Sequence, residues 1–345
     1  MDYDVLAFIG RFQLFHNGHK EVVDNALSRT KKVALVLGSH DQPRSTHNPF
    51  TTAERIEMIT DVFPDEVAKG RIVFVPQVDW TYSLDRWRTE IRAKVTQVAN
   101  TPYTPDPVRI GLIGHSKDHT SFYLKSFPEW GHIEVDNVSG IDATSIREEL
   151  FHRAIPFNQD KMPIPPQVAD WITAWVATNH GAYLTMVDEL DFIQNYRKQF
   201  DVLPYPPTFN TVDAVVVQSG HVLLVRRGAA PGRGLWAIPG GFLDQKEVRF
   251  EGALRELREE TRIDVPEKVI RGSFVREQTF DDPNRSQRGR TITAAFLFRL
   301  EDRENLPKIK GSDDADKAAW VPLNELKRNL MFEDHYDILV EMVGL

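Results

Sequence analysis

Cysteine is absent from the 345 residues of this chain, which excludes disulfides, thiolate metal sites and a cysteine nucleophile. No apolar run approaches the ~20 residues that cross a bilayer, so no membrane partner is expected. The first residues lack the basic-then-apolar layout of a signal peptide and run directly into the strand pattern Val5-Leu-Ala-Phe-Ile9. The expected location is therefore cytoplasmic. An excess of positive charge is missing too. A formal net charge of −8 argues against a general phosphate-backbone binder, and no nucleic-acid partner is expected. Small nucleotides stay compatible with this charge, because a few local Arg and Lys side chains suffice to hold them. Internal repeats and low-complexity tracts are also lacking. What is present is an ordinary globular composition, 41% hydrophobic and 27% charged. The length exceeds one typical core and predicts two domains. A homo-oligomer is compatible with this composition.

The two halves have different rhythms. Apolar runs at Val5–Ile9, Val33–Leu37, Ile72–Val75 and Ile110–Ile113 alternate with helical stretches near His19–Ser28, Ala53–Val62 and Leu84–Val98. That order predicts a doubly wound, Rossmann-like α/β sheet with ligands at the carboxyl ends of its strands. A helix over Pro166–Thr178 is expected to close the domain before His180-Gly181. Phe200–Asn210 carries three prolines and little periodicity, as a linker does. Hairpin patterns follow: Asp213–Val217, a Ser219-Gly220 turn and His221–Arg226, then Gly272–Arg276, Thr291–Leu300 and a strand around Trp320. These predict an α+β domain with a mixed sheet. The expected divisions are residues 1–185, a connecting helix and Pro-rich linker over 186–210, and a second domain over 211–345.

In the first half, Gly10-Arg-Phe-Gln-Leu-Phe-His16-Asn-Gly18-His19 follows the first strand and opens the first helix. A helix N-terminus offers free N–H groups and partial positive charge to a phosphate. Gly18 lets a polyphosphate approach the backbone between His16 and His19. Later, Ser139-Gly-Ile-Asp-Ala-Thr144-Ser145-Ile-Arg147 opens another helix, with Thr144 or Ser145 expected as N-cap and Arg147 in the first turn. Arg147 is a second anion grip in the same half.

In the second half, Gly241-x5-Glu247-x7-Arg255-Glu256-Leu257-x-Glu259-Glu260 follows Trp236-Ala-Ile-Pro-Gly-Gly241. The spacing puts Glu256, Glu259 and Glu260 on one helical face, where like charges repel by a few tenths of a kcal/mol per pair. A magnesium-sized cation turns that repulsion into binding. Phe250, Ala253, Leu254 and Leu257 form an adjacent apolar stripe that can pack on a sheet. A solvated acidic helix is the plain alternative.

These patterns resemble two families. The first, with Gly38-Ser39, Asn48-Pro-Phe-Thr51-x-x-Glu54-Arg55 and Gly114-His-Ser-Lys117-Asp118, resembles the HxGH nucleotidyltransferases, and among them nicotinamide mononucleotide adenylyltransferase, over roughly residues 1–180. The second resembles the Nudix box, with Arg262 where that family usually has glycine. Together they resemble the bifunctional adenylyltransferase/Nudix hydrolases of bacteria. The resemblance implies adenylyl transfer from ATP to nicotinamide mononucleotide, giving NAD and pyrophosphate. His16 and His19 would serve the α- and β-phosphates, and Arg11 and Arg147 the leaving pyrophosphate. Gly10, Gly18, Lys117, Thr144 and Ser145 would line the ATP end. Phe12, Gln13, Asp79, Trp80 and Trp87 would hold nicotinamide mononucleotide, Trp87 by stacking or else as core packing. His47 stands where relatives place Arg, with Arg44 as its expected substitute, and Asp142 stands where many have Ser.

For the second half the resemblance implies hydrolysis of ADP-ribose to AMP and ribose 5-phosphate. Mg²⁺, with Mn²⁺ as a substitute, would be held by the Gly240 carbonyl, Glu256, Glu259 and Glu260. Arg255 would pair with Glu247 or Glu259, and Asp313 or Asp314 could supply a base. The basic run containing Arg285, Arg288 and Arg290 would contact the diphosphate, unless it is a solvated hairpin tip. A non-hydrolytic ADP-ribose sensor is the rival for this half. Mg²⁺ is expected in both halves.

Overall fold

The computed structural model describes residues 3–100, 108–114, 125–135, 141–152, 162–310 and 315–345. It divides into two compact units, Met1–Asp188 and Glu189–Leu345.

In the first unit the order is β1 (Val5–Gly10), α1 (Asn17–Arg29), β2 (Lys32–Leu37), α2 (Thr52–Val62), α3 (Pro64–Ala68), β3 (Ile72–Pro76), α4 (Leu84–Ala99), β4 (Ile110–Gly114), β5 (Gly131–Glu134), α5 (Ala143–Phe151) and α6 (Pro166–Thr178). The five strands are all parallel, in the order β3-β2-β1-β4-β5. The order reverses between β1 and β4, so the carboxyl end of β1 opens into the crevice where such sheets bind ligands. One face of the sheet is sealed by Ile91, Val95 and Ala99 of α4 against Val5, Ala7, Ala34 and Val36. Four expected strands and the helices between them are present. The short α3 and β5 had no pattern long enough to announce them.

Thr51 and Glu54 explain where α2 begins. The Thr51 hydroxyl accepts the Glu54 N–H at 3.3 Å, and the Glu54 carboxylate accepts the Thr51 N–H at 2.7 Å. One residue on, Arg55 is 1% exposed. It donates to the carbonyls of Gly38 at 2.7 Å and Ser39 at 3.3 Å and to that of Arg11, which ties the loops after β1 and β2 together. The helix expected over Pro166–Thr178 is present with those bounds, and a further helix follows it. Asn179 caps α6, and α7 continues from His180 to Lys198.

The second unit contains β6 (Phe209–Gln218), β7 (His221–Arg227), β8 (Trp236–Ala237), β9 (Gly240–Phe242), α8 (Arg249–Thr261), α9 (Glu267–Gly272), β10 (Phe274–Phe280), β11 (Thr291–Arg299), β12 (Ala315–Pro322) and α10 (His335–Leu339). The sheet is mixed, ordered β10-β11-β6-β7-β12, with β8 on β7 and β9 on β6. β6 and β11 are parallel while the other pairs are antiparallel. The Ser219-Gly220 turn has φ of 47° and 72°, the left-handed pair a tight hairpin needs. Gly272 ends α9 instead of starting β10, because Pro266 and Glu267 open a short helix. The apolar stripe of α8, Ala253, Leu254 and Leu257, packs on Val212, Ala214 and Phe296 of the sheet. That packing turns the acidic face of α8 away from the core.

Arg262 closes α8 at φ 43°, ψ 39°. A side chain there costs about 1 kcal/mol that glycine avoids. Arg262→Gly is expected to raise the melting temperature of this unit by about 3 °C without changing either activity, as calorimetry would read.

Candidate active sites

The first site forms around the loop from Gly10 to His16. His16 caps α1: its Nδ1 accepts the His19 N–H at 3.4 Å, and His19 Nδ1 accepts the His16 N–H at 3.3 Å. The two rings stack with centroids 3.7 Å apart. With Nδ1 accepting in both, the neutral rings carry their protons on Nε2. His19 is wedged between Phe12 and Phe15, at 5.0 and 5.6 Å between centroids. Gly18, between the histidines, is buried.

Cations gather beside this pair. Arg147 is 3% exposed and donates to the Gln13 carbonyl and, at 3.2 Å, to the Thr144 hydroxyl. Arg11 contacts the His47 ring. Burial pushes the Arg147 guanidinium down to about 10, and the charge of Arg11 adds to the effect. Burial also lowers Arg11, with Asp79 opposing. His47 falls to about 3, through burial and then the charges of Arg11 and Arg147. The two guanidinium shifts report buried positive charge that nearby anions offset only in part, and the same charges with burial keep the His47 ring neutral. Asp79 opposes the Arg11 shift, and its oxygens accept the Ser39 N–H at 2.8 Å and the Ser39 hydroxyl at 2.5 Å.

The remaining expected residues are placed as follows. Gly10 ends β1, and a Cβ on it would lie 3.0 Å from the buried Phe12 ring. The Gln13 amide is buried and pins the Phe50 backbone at 2.7 and 3.0 Å. The side chains of Phe12 and Gln13 are thus part of the frame. Trp80 lies under the Arg86 guanidinium at 3.5 Å, and Trp87 is half-buried, 6.1 Å from Phe127 against the core. Lys117 and its neighbours His115, Ser116 and Asp118 lie outside the described residues.

Two expectations are corrected. The N-cap of α5 is Asp142, not Thr144 or Ser145. Its carboxylate accepts the N–H groups of Thr144 at 3.2 Å and Ser145 at 3.0 Å. An aspartate there satisfies two orphan donors at once, and it turns its charge onto the helix end. Arg44 does not substitute at His47's position, because Glu54 holds it in a fork at 2.9 and 3.0 Å.

The second site joins β9 to α8. Glu260 accepts the Gly240 N–H at 3.0 Å. Arg255 is the hub of the remaining acids, reaching Glu247 at 3.0 Å, Glu256 at 2.8 Å and Glu259 at 3.0 Å. It therefore pairs with both residues offered for it and one more. Both glycines are sterically required: a Cβ on Gly241 would stand 2.5 Å from the Glu256 carboxylate, and one on Gly240 would stand 2.3 Å from the Val212 carbonyl. Burial pushes Glu260 up to about 8, with the charges of Glu256 and Asp213 adding to it. Glu256 is raised by burial and then by Glu259 and Glu247, against Arg255. Asp213 rises to about 6 by burial.

Among the described residues no three His, Asp or Glu side chains converge as an ion cage. Arg255 occupies the middle, and the Glu259 side chain is 59% exposed. The donor chemistry nevertheless fits a divalent cation. Oxygen donors are grouped on one helix face, the glycine cradle brings a backbone beside Glu256, and burial raises both Glu256 and Glu260, a shift that a bound cation would oppose.

A pocket of about 210 Å³ lies beside Glu260 and Gly240, with Arg227, Arg285 and Arg288 among its lining. Arg285 is buried in a fork with Asp334 at 2.9 and 3.0 Å. Arg288 faces the Phe242 ring at 5.3 Å, and its Nε is buried with no hydrogen-bond partner. Arg290 does not line this pocket; it donates to the Asp281 carbonyl at 2.6 Å. Gly289, at φ 146°, turns the chain between the two arginines. Asp313 and Asp314 lie outside the described residues. Arg227, Glu333 and His335 line the pocket without having been foreseen. Their segments have no periodic or motif signal, although an Arg at a strand end was a usable hint.

Residues 7–148 match the Cytidylyltransferase-like family and residues 207–342 the NUDIX domain family. The chain is 36% identical over 154 residues, 44% of its length and 78% of the relative's, to a nicotinamide/nicotinic acid mononucleotide adenylyltransferase of Acinetobacter baylyi. It is 32% identical over 128 residues, 37% of its length and 69% of the relative's, to an ADP-ribose pyrophosphatase of Methanocaldococcus jannaschii. A crystal structure of a bifunctional NMN adenylyltransferase/ADP ribose pyrophosphatase from Francisella tularensis, complexed with AMP and a manganese ion, matches with a TM-score of 0.88. It is 33% identical over 99% of both chains. With a parallel nucleotidyltransferase-type sheet ahead of a mixed Nudix sheet, and a match running the length of both chains, this protein belongs to the family of bifunctional NMN adenylyltransferase/ADP ribose pyrophosphatases.

Proposed function

We propose that the first unit transfers the adenylyl group of ATP to nicotinamide mononucleotide and that the second hydrolyses ADP-ribose to AMP and ribose 5-phosphate. The observation that carries this reading is the contrast in side chains: the stacked imidazoles of His16 and His19 with the guanidinium groups of Arg11 and Arg147 in the first unit, and the carboxylates of Glu256, Glu259 and Glu260 at the Gly240-Gly241 cradle in the second.

In the first unit no general base is needed, because the 5′-phosphate of nicotinamide mononucleotide is already an anion. Its oxygen bonds to the α-phosphorus of ATP as the bond to the bridging oxygen of pyrophosphate breaks. The residues position the groups and neutralise charge. His16 and His19 serve the α- and β-phosphates, and Arg11 and Arg147 serve the departing pyrophosphate. Gly10 and Gly18 give the chain close backbone approach. Lys117, Thr144 and Ser145 belong to the ATP end, and Asp79, Trp80 and Trp87 to the mononucleotide end, framed by Phe12 and Gln13. Mg²⁺ accompanies the phosphates.

In the second unit the Gly240 carbonyl, Glu256, Glu259 and Glu260 would hold Mg²⁺ or Mn²⁺, which supplies polarisation of the diphosphate and a more acidic water. Arg255 keeps Glu247, Glu256 and Glu259 gathered, and Arg285 and Arg288 set the charge that meets the diphosphate, with Arg290 further out. The join between residues 1–185 and 211–345 falls at 186–210. The cytoplasm is the working compartment and small nucleotides are the partners; among the described residues no helix is long and apolar enough to cross a membrane.

The deciding assay supplies the full chain with Mg²⁺ and either ATP plus nicotinamide mononucleotide or ADP-ribose. Pyrophosphate and AMP are the expected products. Bound ADP-ribose without AMP would make the second unit a sensor, and absence of pyrophosphate would remove the transferase reading.

His47 makes ATP binding proton-linked. Its pKa of about 3 lies below the ordinary 6.5, so the folded protein loses stability as pH falls through that window. A polyphosphate beside Arg11 and Arg147 offsets both charges and raises the ring again. Calorimetry at pH 6 in buffers of different ionisation enthalpy is expected to show proton uptake on ATP binding, and His47→Asn should remove it.

A further inference from the structure

We propose that Glu189, on the part of α7 that belongs to the second unit, is a positioning residue for the hydrolytic reaction: through the loop between β7 and β8 it aims the Arg227 guanidinium at the diphosphate. The inference rests on the ADP-ribose reading above. Glu189 is 7% exposed, and its one hydrogen bond among the described residues comes from the Gly232 N–H. A carboxylate taken out of water costs free energy unless donors or cations compensate it. Burial accordingly raises its pKa, against the Gly232 N–H and the charge of Arg227. An apolar side chain of the same size would avoid that cost, so packing alone does not account for an acid here.

The loop it touches is clamped from two sides. Glu189 holds the Gly232 N–H, and the opposite side of Gly232, at φ 76°, lies against the Phe332 ring, which a Cβ would meet at 2.4 Å. The loop then returns onto the end of β7: the Gly234 N–H donates to the Arg227 carbonyl at 2.8 Å, and the Arg227 N–H to the Leu235 carbonyl at 2.9 Å. Pro231, next to Gly232, accepts Arg227 Nε on its carbonyl at 2.8 Å, and the guanidinium lies over the same Phe332 ring at 3.9 Å. With Nε bonded and one face covered, the plane of the fork is fixed. Nη1 and Nη2 make no hydrogen bond among the described residues, and Arg227 lines the pocket with Gly240, Glu260 and Arg288. After burial, the charge of Arg288 is what disfavours the Arg227 cation most. Two guanidinium groups that repel across one pocket are relieved by a diphosphate between them. Releasing Gly232 frees the Pro231 carbonyl to shift, and the fork with it; a displacement of about 1 Å can cost a reaction about a hundredfold.

The test uses the full chain with Glu189→Ala, Glu189→Gln, Arg227→Ala, and Glu189→Ala combined with Arg227→Ala. The value of kcat/KM for ADP-ribose is expected to fall about thirtyfold in Glu189→Ala and about a hundredfold in Arg227→Ala. The double variant should lose no more than Arg227→Ala alone, because no guanidinium is left to aim. Glu189→Gln keeps an oxygen for the Gly232 N–H and should stay within about threefold of the parent. NAD formation is unchanged throughout. A purely structural Glu189 would lower the melting temperature equally in both backgrounds and leave kcat/KM of the folded protein alone. Parental kcat/KM in folded Glu189→Ala, or losses that multiply in the double variant, would overturn the proposal with the hydrolase reading intact. If Glu189→Ala does not fold, Glu189→Asp, one methylene short of Gly232, takes its place with the same two outcomes. If the parent protein does not cleave ADP-ribose, the hydrolase reading fails. Calorimetric binding of ADP-ribose to the same variants then decides: weakening by both changes without addition supports the proposal, and parental binding in the Glu189 variant overturns it.

Discussion

Glu260→Gln is expected to lower ADP-ribose hydrolysis about a thousandfold while NAD formation stays at the parental rate. The substitution keeps the shape of the side chain and an oxygen for the Gly240 N–H, which now lies 3.0 Å from Glu260. It removes the charge that a divalent ion needs, and about a thousandfold corresponds to about 4 kcal/mol at the transition state. Stability separates this from misfolding. In the metal-free protein Glu260 holds its proton up to about pH 8, while the unfolded chain releases it near 4.5. Between those values the folded state binds more protons, so the parent loses stability as pH rises through the window. The Gln variant lacks that loss and should gain on the parent from pH 5 to 8 in thermal melts. Mn²⁺ should raise the melting temperature of the parent alone. A variant with normal hydrolysis, or one with both activities lost in a folded protein, would remove Glu260 from its role.

Most of the framework was legible because its signals are local. Each of the first four strands is a short apolar run, and Thr51 with Glu54 marks a helix start by spacing alone. Arg262 shows the same logic in reverse: its left-handed conformation was readable from the place where a glycine was missing. The grouping of His16 with His19, and of Glu256 with Glu260, follows from helical spacing too.

What escaped prediction depends on contacts between distant segments. Arg227 reaches the Nudix pocket by the register of β7, and Glu333 and His335 by the course of the chain into α10. No window of sequence joins them. The basic run was read as one patch, yet the backbone at Gly289 separates Arg288 from Arg290. Asp142, Thr144 and Ser145 are all good caps, so only geometry could choose among them. Arg255 was expected to hold one acid, and its planar fork holds three.

His19→Ala is expected to reduce NAD formation by 10²–10³ in kcat, the scale of one lost donor to developing charge, and to leave ADP-ribose hydrolysis intact. The ring is tightly constrained. Phe12 and Phe15 flank it, His16 stacks on it, and its Nδ1 accepts the His16 N–H. With Nδ1 accepting that N–H, the ring turns its Nε2–H toward a phosphate as the donor. Alanine also deletes half of the mutual cap on α1, a loss of about 1 kcal/mol. A melting temperature lowered by a few degrees is therefore expected, and it does not explain a hundredfold loss at 25 °C in a protein still folded. His19→Asn distinguishes the two effects. Asparagine can restore the side-chain acceptor of the cap, so stability should return while kcat remains low, since its amide cannot take up charge. Recovery of kcat along with stability would make His19 a structural residue and leave the phosphate to Arg11 and Arg147.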